Sequence, residues 1–165
     1  MNAAHAHLIL NHLPVIGLLF GIGFLLVGLL RKHDTLIRSA FTIFIIVSIA
    51  TIPVFLSGEA AEDVVENLPG VEEAYIHAHE EAGETALIAM IVLGLISIAG
   101  LWVFRFMNRI RMTAAGLVLV LSLVVAGWMA YTANLGGEIR HPEIREDFIE
   151  PVPSPGGADV NQARD

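Results

Sequence analysis

Between Leu13 and Leu30 the chain reads LPVIGLLFGIGFLLVGLL, a run with no charge, hydroxyl or amide side chain. At 1.5 Å rise per residue such a helix is about 27 Å long, close to the roughly 30 Å hydrocarbon core of a bilayer. Three further long, predominantly apolar runs follow: Leu36 to Leu56, Ala86 to Met107, and Met112 to Leu135. Arg38 and Arg105 lie within a turn or so of a span end, where long basic side chains snorkel outward. The fold expected is all-α, a four-helix transmembrane bundle made of two helical hairpins.

The rest of the composition agrees. Of 165 residues, 55% are hydrophobic and 16% charged, and mean hydropathy is +0.70. The formal net charge of −8 argues against nucleic acid as a partner, which would call for a basic face. With no cysteine, disulfides, thiolate metal sites, cysteine-ligated iron–sulfur clusters and covalently attached haem are excluded. No phosphate-binding loop, nucleophile triad or dinucleotide fingerprint occurs, so no enzyme class is assigned.

Met1 to Asn11 carries no Lys or Arg, and Arg31-Lys32-His33 closes the first run. A signal peptide has a positive leading flank, so this run reads as a retained first helix. Three basic residues (Arg31, Lys32, Arg38) lie at the first short turn and three (Arg105, Arg109, Arg111) at the third, while Ser57 to Thr85 holds none and nine acids. By the positive-inside rule the basic turns are cytoplasmic. Both termini and the acidic connection are then periplasmic, in the inner membrane of a bacterium. Residues 1–141 are expected to form the transmembrane domain, and 142–165, rich in Pro and Gly, a periplasmic tail.

Six of the seven histidines fall on the expected periplasmic side: His5, His7, His12, His77, His79 and His141. They are distant in sequence, but the hairpin topology gathers them at one end. His12 directly precedes the first span, and His79 opens the second hairpin. A Gly-Glu pair closes each hairpin, Gly58-Glu59 and Gly137-Glu138, a weak pseudo-repeat. Three readings follow. One is a b-type haem held by His12 and His79, with His77 or His141 as substitutes and Gly17 and Gly21 opening a slot for the porphyrin. Such a protein would exchange electrons with quinol, and Glu59, Glu84 and Glu138 would handle protons. Another is a zinc, copper or iron ion held by some of these imidazoles with Glu59, Glu84 or Glu138. The third is a cofactor-free subunit of a larger respiratory or photosynthetic complex.

The stretches Ala4-His5-Ala6-His7-Leu8 to Asn11-His12-Leu13-Pro14-Val15, Ser57-Gly58-Glu59 and Gly136-Gly137-Glu138-Ile139-Arg140-His141-Pro142 carry a resemblance. The chain is similar, over residues 4 to about 142, to a family of small bacterial four-helix membrane proteins that open with a His-(Phe/Leu)-Pro motif. It is also distantly similar in architecture to the cytochrome b561-type four-helix haem proteins, and that likeness implies haem. Those proteins pair histidines on both sides of the membrane, whereas here the basic side carries only His33.

Overall fold

The structure, a computed structural model, describes residues 2–107 and 109–149. Residues 150–165, most of the expected tail, lie outside the described residues. Among the described residues the regular structure is helical: α1 (Ala3–Leu10), α2 (His12–Leu30), α3 (Asp34–Val65), α4 (Glu73–Phe106), α5 (Arg111–Arg140) and a 3-10 turn, Pro142–Ile144. Counting α1 and α2 as one, four helices are long and apolar enough to cross a membrane. They pack in sequence, α2 on α3, α3 on α4 and α4 on α5, and α2 meets α5 to close the bundle.

Each boundary has a local cause. The Asn2 side chain caps α1 by accepting from the His5 N–H at 2.9 Å. Pro14 has no N–H for the Leu10 carbonyl, and its ring crowds that carbonyl, so the helix breaks at Asn11. Helix α1, like α2, packs on α3. At the other end of α2, His33 N–H bonds Gly28 O at 2.8 Å and Lys32 takes φ 51°, a Schellman-type stop. Lysine pays a steric cost in that left-handed conformation that glycine does not. Lys32→Gly is therefore expected to stabilise the protein by about 0.5–1 kcal/mol, read as a higher melting temperature in detergent. A lower one would mean the turn is held by the lysine side chain.

Helices α3 and α4 have 32 and 34 residues. At roughly 48 and 51 Å they overrun a hydrocarbon core of about 30 Å. The surplus lies at the histidine end, where Glu59, Glu62 and Asp63 end α3 and Glu73, Glu80, Glu81 and Glu84 begin α4. The two helices are separated at Leu68-Pro69-Gly70, where Gly70 has φ +80°. Helix α3 runs through Pro53 without ending.

The core is a column of Leu18, Leu25, Phe41, Phe44, Met90, Leu93, Phe104 and Val125. Small residues let the helices close on it. A Cβ on Gly17 would overlap Val47 Cγ1, one on Gly21 would overlap the Phe44 ring, and one on Gly94 would stand 2.5 Å from Ser48 Oγ. The porphyrin slot expected at Gly17 and Gly21 is thus filled by α3 side chains, and these two glycines serve helix packing. Buried hydroxyls bond within their own helices: Thr51 donates to Val47 O and Ser97 to Leu93 O, both at 2.7 Å. Around this core the outward surface is apolar, with Phe20, Ile49, Leu95 and Val124 all about 60% exposed. Such a belt is compatible with contact to a lipid bilayer.

At the basic end, Arg111 pairs with Asp34, and Arg38 donates to Phe104 O at 3.1 Å. These two contacts tie the first and third turns together, so the six basic residues named above share one end. The histidines other than His33 occupy the other.

Candidate metal centre

Two of the six histidines meet. His7 on α1 and His79 on α4 are half-buried, with ring centres 6.5 Å apart and planes at 81°. His7 Nδ1 lies 3.2 Å from Val54 O and 3.0 Å from Ser57 Oγ, and Ser57 Oγ donates to Val54 O at 2.7 Å. His79 Nδ1 lies 2.9 Å from Thr132 O. A carbonyl only accepts, so Nδ1 carries the proton on both rings and each Nε2 keeps a free lone pair. Anchoring one ring nitrogen on a carbonyl while the other stays available is how proteins prepare imidazole for a metal.

The two anchors are built alike. Val54 and Thr132 each sit one helical turn before a glycine, Gly58 and Gly136. In a helix the Cβ of residue i+4 tilts back over the carbonyl of residue i, so a glycine there opens the carbonyl to a ring from outside. A Cβ on Gly136 would stand 2.9 Å from His79 Cε1, and one on Gly58 3.4 Å from His7 Cε1. Gly136→Ala is therefore expected to displace His79 and remove its Nδ1–H signal from the proton spectrum. Gly58→Ala is expected to keep the His7 signal and to gain about 0.5–1 kcal/mol of helix propensity. Equal behaviour of the two variants would contradict the asymmetry of the contacts.

Thr132 is held in turn. Its hydroxyl lies 3.3 Å from Ala82 O, to which Trp128 Nε1 also donates at 3.0 Å, so α4 and α5 are pinned one turn from His79. Beyond Gly136, Gly137 receives Ile144, whose Cδ1 would be 3.2 Å from an added Cβ. Arg145 then folds back over the Tyr75 ring at 3.8 Å, pairs with Glu72 and donates Nε to Glu138 O at 2.9 Å. The described start of the expected tail is docked against the bundle.

The other expected ligands stand apart. His12, expected to face His79, is exposed and donates Nδ1 to Leu8 O at 2.8 Å, within its own stretch of chain. His5 is exposed. His77 is exposed between Glu73 and Glu80, at 3.4 and 3.5 Å. His141 pairs with Glu143 at 2.9 Å, and the Glu143 carboxyl is held below its usual range by its own main-chain N–H and by His141. Glu59 and Glu84 are exposed, and Glu138 accepts from Asn134 Nδ2 at 2.6 Å. Among the described residues, no group of three or more His, Asp or Glu side chains is arranged to hold a metal ion.

Reasoning from sequence favoured His12 as the partner of His79, whereas the structure places His7 beside His79 and leaves His12 exposed. A signal for His7 lay in Gly58, where its ring meets α3. Set against known proteins, the chain matches no family model, no curated protein and no solved structure.

Proposed function

We propose that this protein holds a redox metal centre at the histidine end of its bundle, in its most specific form one b-type haem, with His7 and His79 as the ligand pair. The observation that carries the reading is two half-buried imidazoles on different helices, each with Nδ1 anchored on a carbonyl and Nε2 free. His7 and His79, with ring centres 6.5 Å apart, would hold the group through their Nε2 atoms. A haem iron asks the protein for only two axial ligands, whereas a structural zinc takes four. When bound, haem supplies one-electron transfer. The chain supplies the two imidazoles, and Ser57 with the Val54 and Thr132 carbonyls keeps their tautomers fixed.

A bare zinc, copper or iron ion is the second reading. The closed packing at Gly17 and Gly21 favours it, because the slot expected for a porphyrin is filled there. An ion with open positions would complete its shell with water or a nearby carboxylate.

The same proposal puts the histidine end on the periplasmic side of a bacterial inner membrane, supported by six basic residues at the opposite turns and none from Ser57 to Thr85. Quinol in the bilayer is the expected electron source, and a larger membrane redox complex the expected setting. The test is an absorption spectrum of protein purified from membranes, oxidised and then dithionite-reduced, with metal analysis of the same sample. A reduced α-band of b-type haem supports the first reading, and a stoichiometric metal without that band supports the second. Neither signal, before or after loading with hemin, zinc or copper, overturns both and leaves a cofactor-free subunit.

A further inference from the structure

Residues 141–149 leave the end of α5, turn through Pro142–Ile144 and cross to the head of α4. One side chain carries the crossing. Arg145, only 7% exposed along its side chain, stacks its guanidinium 3.8 Å from the centre of the Tyr75 ring and pairs with the Glu72 carboxylate. Its Nε donates to Glu138 O at 2.9 Å. A single planar cation thus joins the first turn of α4 to the last turn of α5, by stacking and directed bonds that an ammonium group does not reproduce. Tyr75 OH donates to Asp147 Oδ1 at 3.3 Å, and Ile144 packs over Gly137.

These contacts lie on one side of the His79 anchor. His79 stands one helical turn beyond Tyr75 on α4, and the carbonyl that holds it, Thr132 O, belongs to α5. On the inner side of that bond the two helices are pinned by Trp128 and Thr132, which bond Ala82 O. On the outer side the pin is Arg145. The head of α4 lacks support of its own, because Glu72 at the N-cap makes no capping bond and its carboxylate goes to Arg145. Uncapped helix ends fray, and His79 is only the seventh residue of α4. Ile144 on Gly137 also sits beside Gly136, where the missing Cβ leaves room for the His79 ring. We infer that Arg145 is a positioning residue for His79: by clamping Glu72 and Tyr75 against Glu138 it keeps the His79 Nδ1–H on Thr132 O and so fixes where Nε2 points. The strap from His141 to Ile149 is then part of the site. The inference rests on the reading of His79 as a ligand for its purpose, and on the clamp alone for its geometry.

The test is the rate at which the His79 Nδ1–H exchanges with water, read in proton–nitrogen spectra of the full chain, labelled at histidine and tryptophan and free of metal, in nanodiscs. Arg145→Met keeps the apolar stem and loses the charge and its donors, and is expected to speed that exchange about tenfold or more. Arg145→Lys should do the same. Tyr75→Leu should speed it too, and Tyr75→Phe, which restores the ring beneath the guanidinium, should return it toward the wild-type rate. The His7 Nδ1–H and the Trp128 Nε1–H lie outside the clamp and should keep their wild-type rates in all four variants. Hemin or zinc should bind Arg145→Met about tenfold more weakly than the wild type, the usual effect of losing an outer partner. An unchanged His79 rate in Arg145→Met overturns the inference. A uniform rise at His7, His79 and Trp128 overturns it as well, because it would mark a general loosening of the bundle. A wild type that binds neither hemin nor metal ions sinks the metal reading alone, since the exchange rates, taken without metal, still uphold or overturn the clamp.

Discussion

His79→Ala is expected to reduce metal or haem affinity by about 100-fold or more, and His7→Ala to do the same, while His12→Ala leaves it intact. Each of the first two changes removes one of only two imidazoles that meet at the histidine end. Loss of an outer-shell partner alone typically costs a metal site about 10–100-fold, and loss of a ligand costs more. Ser57→Ala belongs to the milder class, because His7 Nδ1 retains Val54 O at 3.2 Å. The pH dependence has a definite sign. Both Nε2 atoms must be unprotonated to bind, so protons compete with the metal and affinity falls as pH is lowered through the imidazole range. Up to two protons are released per metal bound, and His79→Ala should reduce that number. Titrations of the purified variants at several pH values check all of this. Unchanged binding in both His7→Ala and His79→Ala would remove the pair from the site.

The second large effect concerns packing, and its sign depends on which glycine is changed. Gly94→Val and Gly21→Leu are each expected to destabilise the bundle by about 1–3 kcal/mol or more. At Gly94 a Cβ would lie 2.5 Å from Ser48 Oγ and 2.7 Å from Ser48 Cβ, with α3 main chain behind them. At Gly21 it would strike the Phe44 ring, which is fully buried. Gly127→Ala is the opposite case. A Cβ there meets nothing within 4 Å, so the helix gains about 0.8–1 kcal/mol of propensity without a clash. Thermal unfolding in detergent should therefore move down for Gly94→Val and Gly21→Leu and up for Gly127→Ala. A common direction for all three would mean that helix contacts do not limit stability.

The spans were legible because a bilayer imposes a length and a polarity that a single sequence displays openly. The runs Leu13 to Leu30, Leu36 to Leu56 and Met112 to Leu135 lie within long helices, as does Ala86 to Met107 but for its last residue. The basic turns were legible for the same reason, and Asp34–Arg111 joins them as hairpin topology requires. The site was legible only as a neighbourhood. That histidines gather at one end follows from counting helices, but which rings touch depends on where an axis bends. His7 meets His79, while His12, the first residue of α2, is exposed. At Gly17 and Gly21 small residues signal close approach, and what approaches is Val47 and Phe44 of α3. Arg145 was hidden in a stretch whose composition reads as tail, although Tyr75 and Glu72, far away in sequence, hold it down.

The central claim is that His7 and His79 form a ligand pair with protonated Nδ1 and free Nε2. Long-range proton–nitrogen correlation spectra of the histidine-labelled protein, before and after loading with hemin or metal, test it most directly. The account predicts that both rings are Nδ1–H tautomers beforehand and that both Nε2 resonances shift or broaden on loading, while His12, in the same tautomer, does not move. Nε2–H tautomers at His7 and His79, or a response on loading at His12 alone, would contradict it.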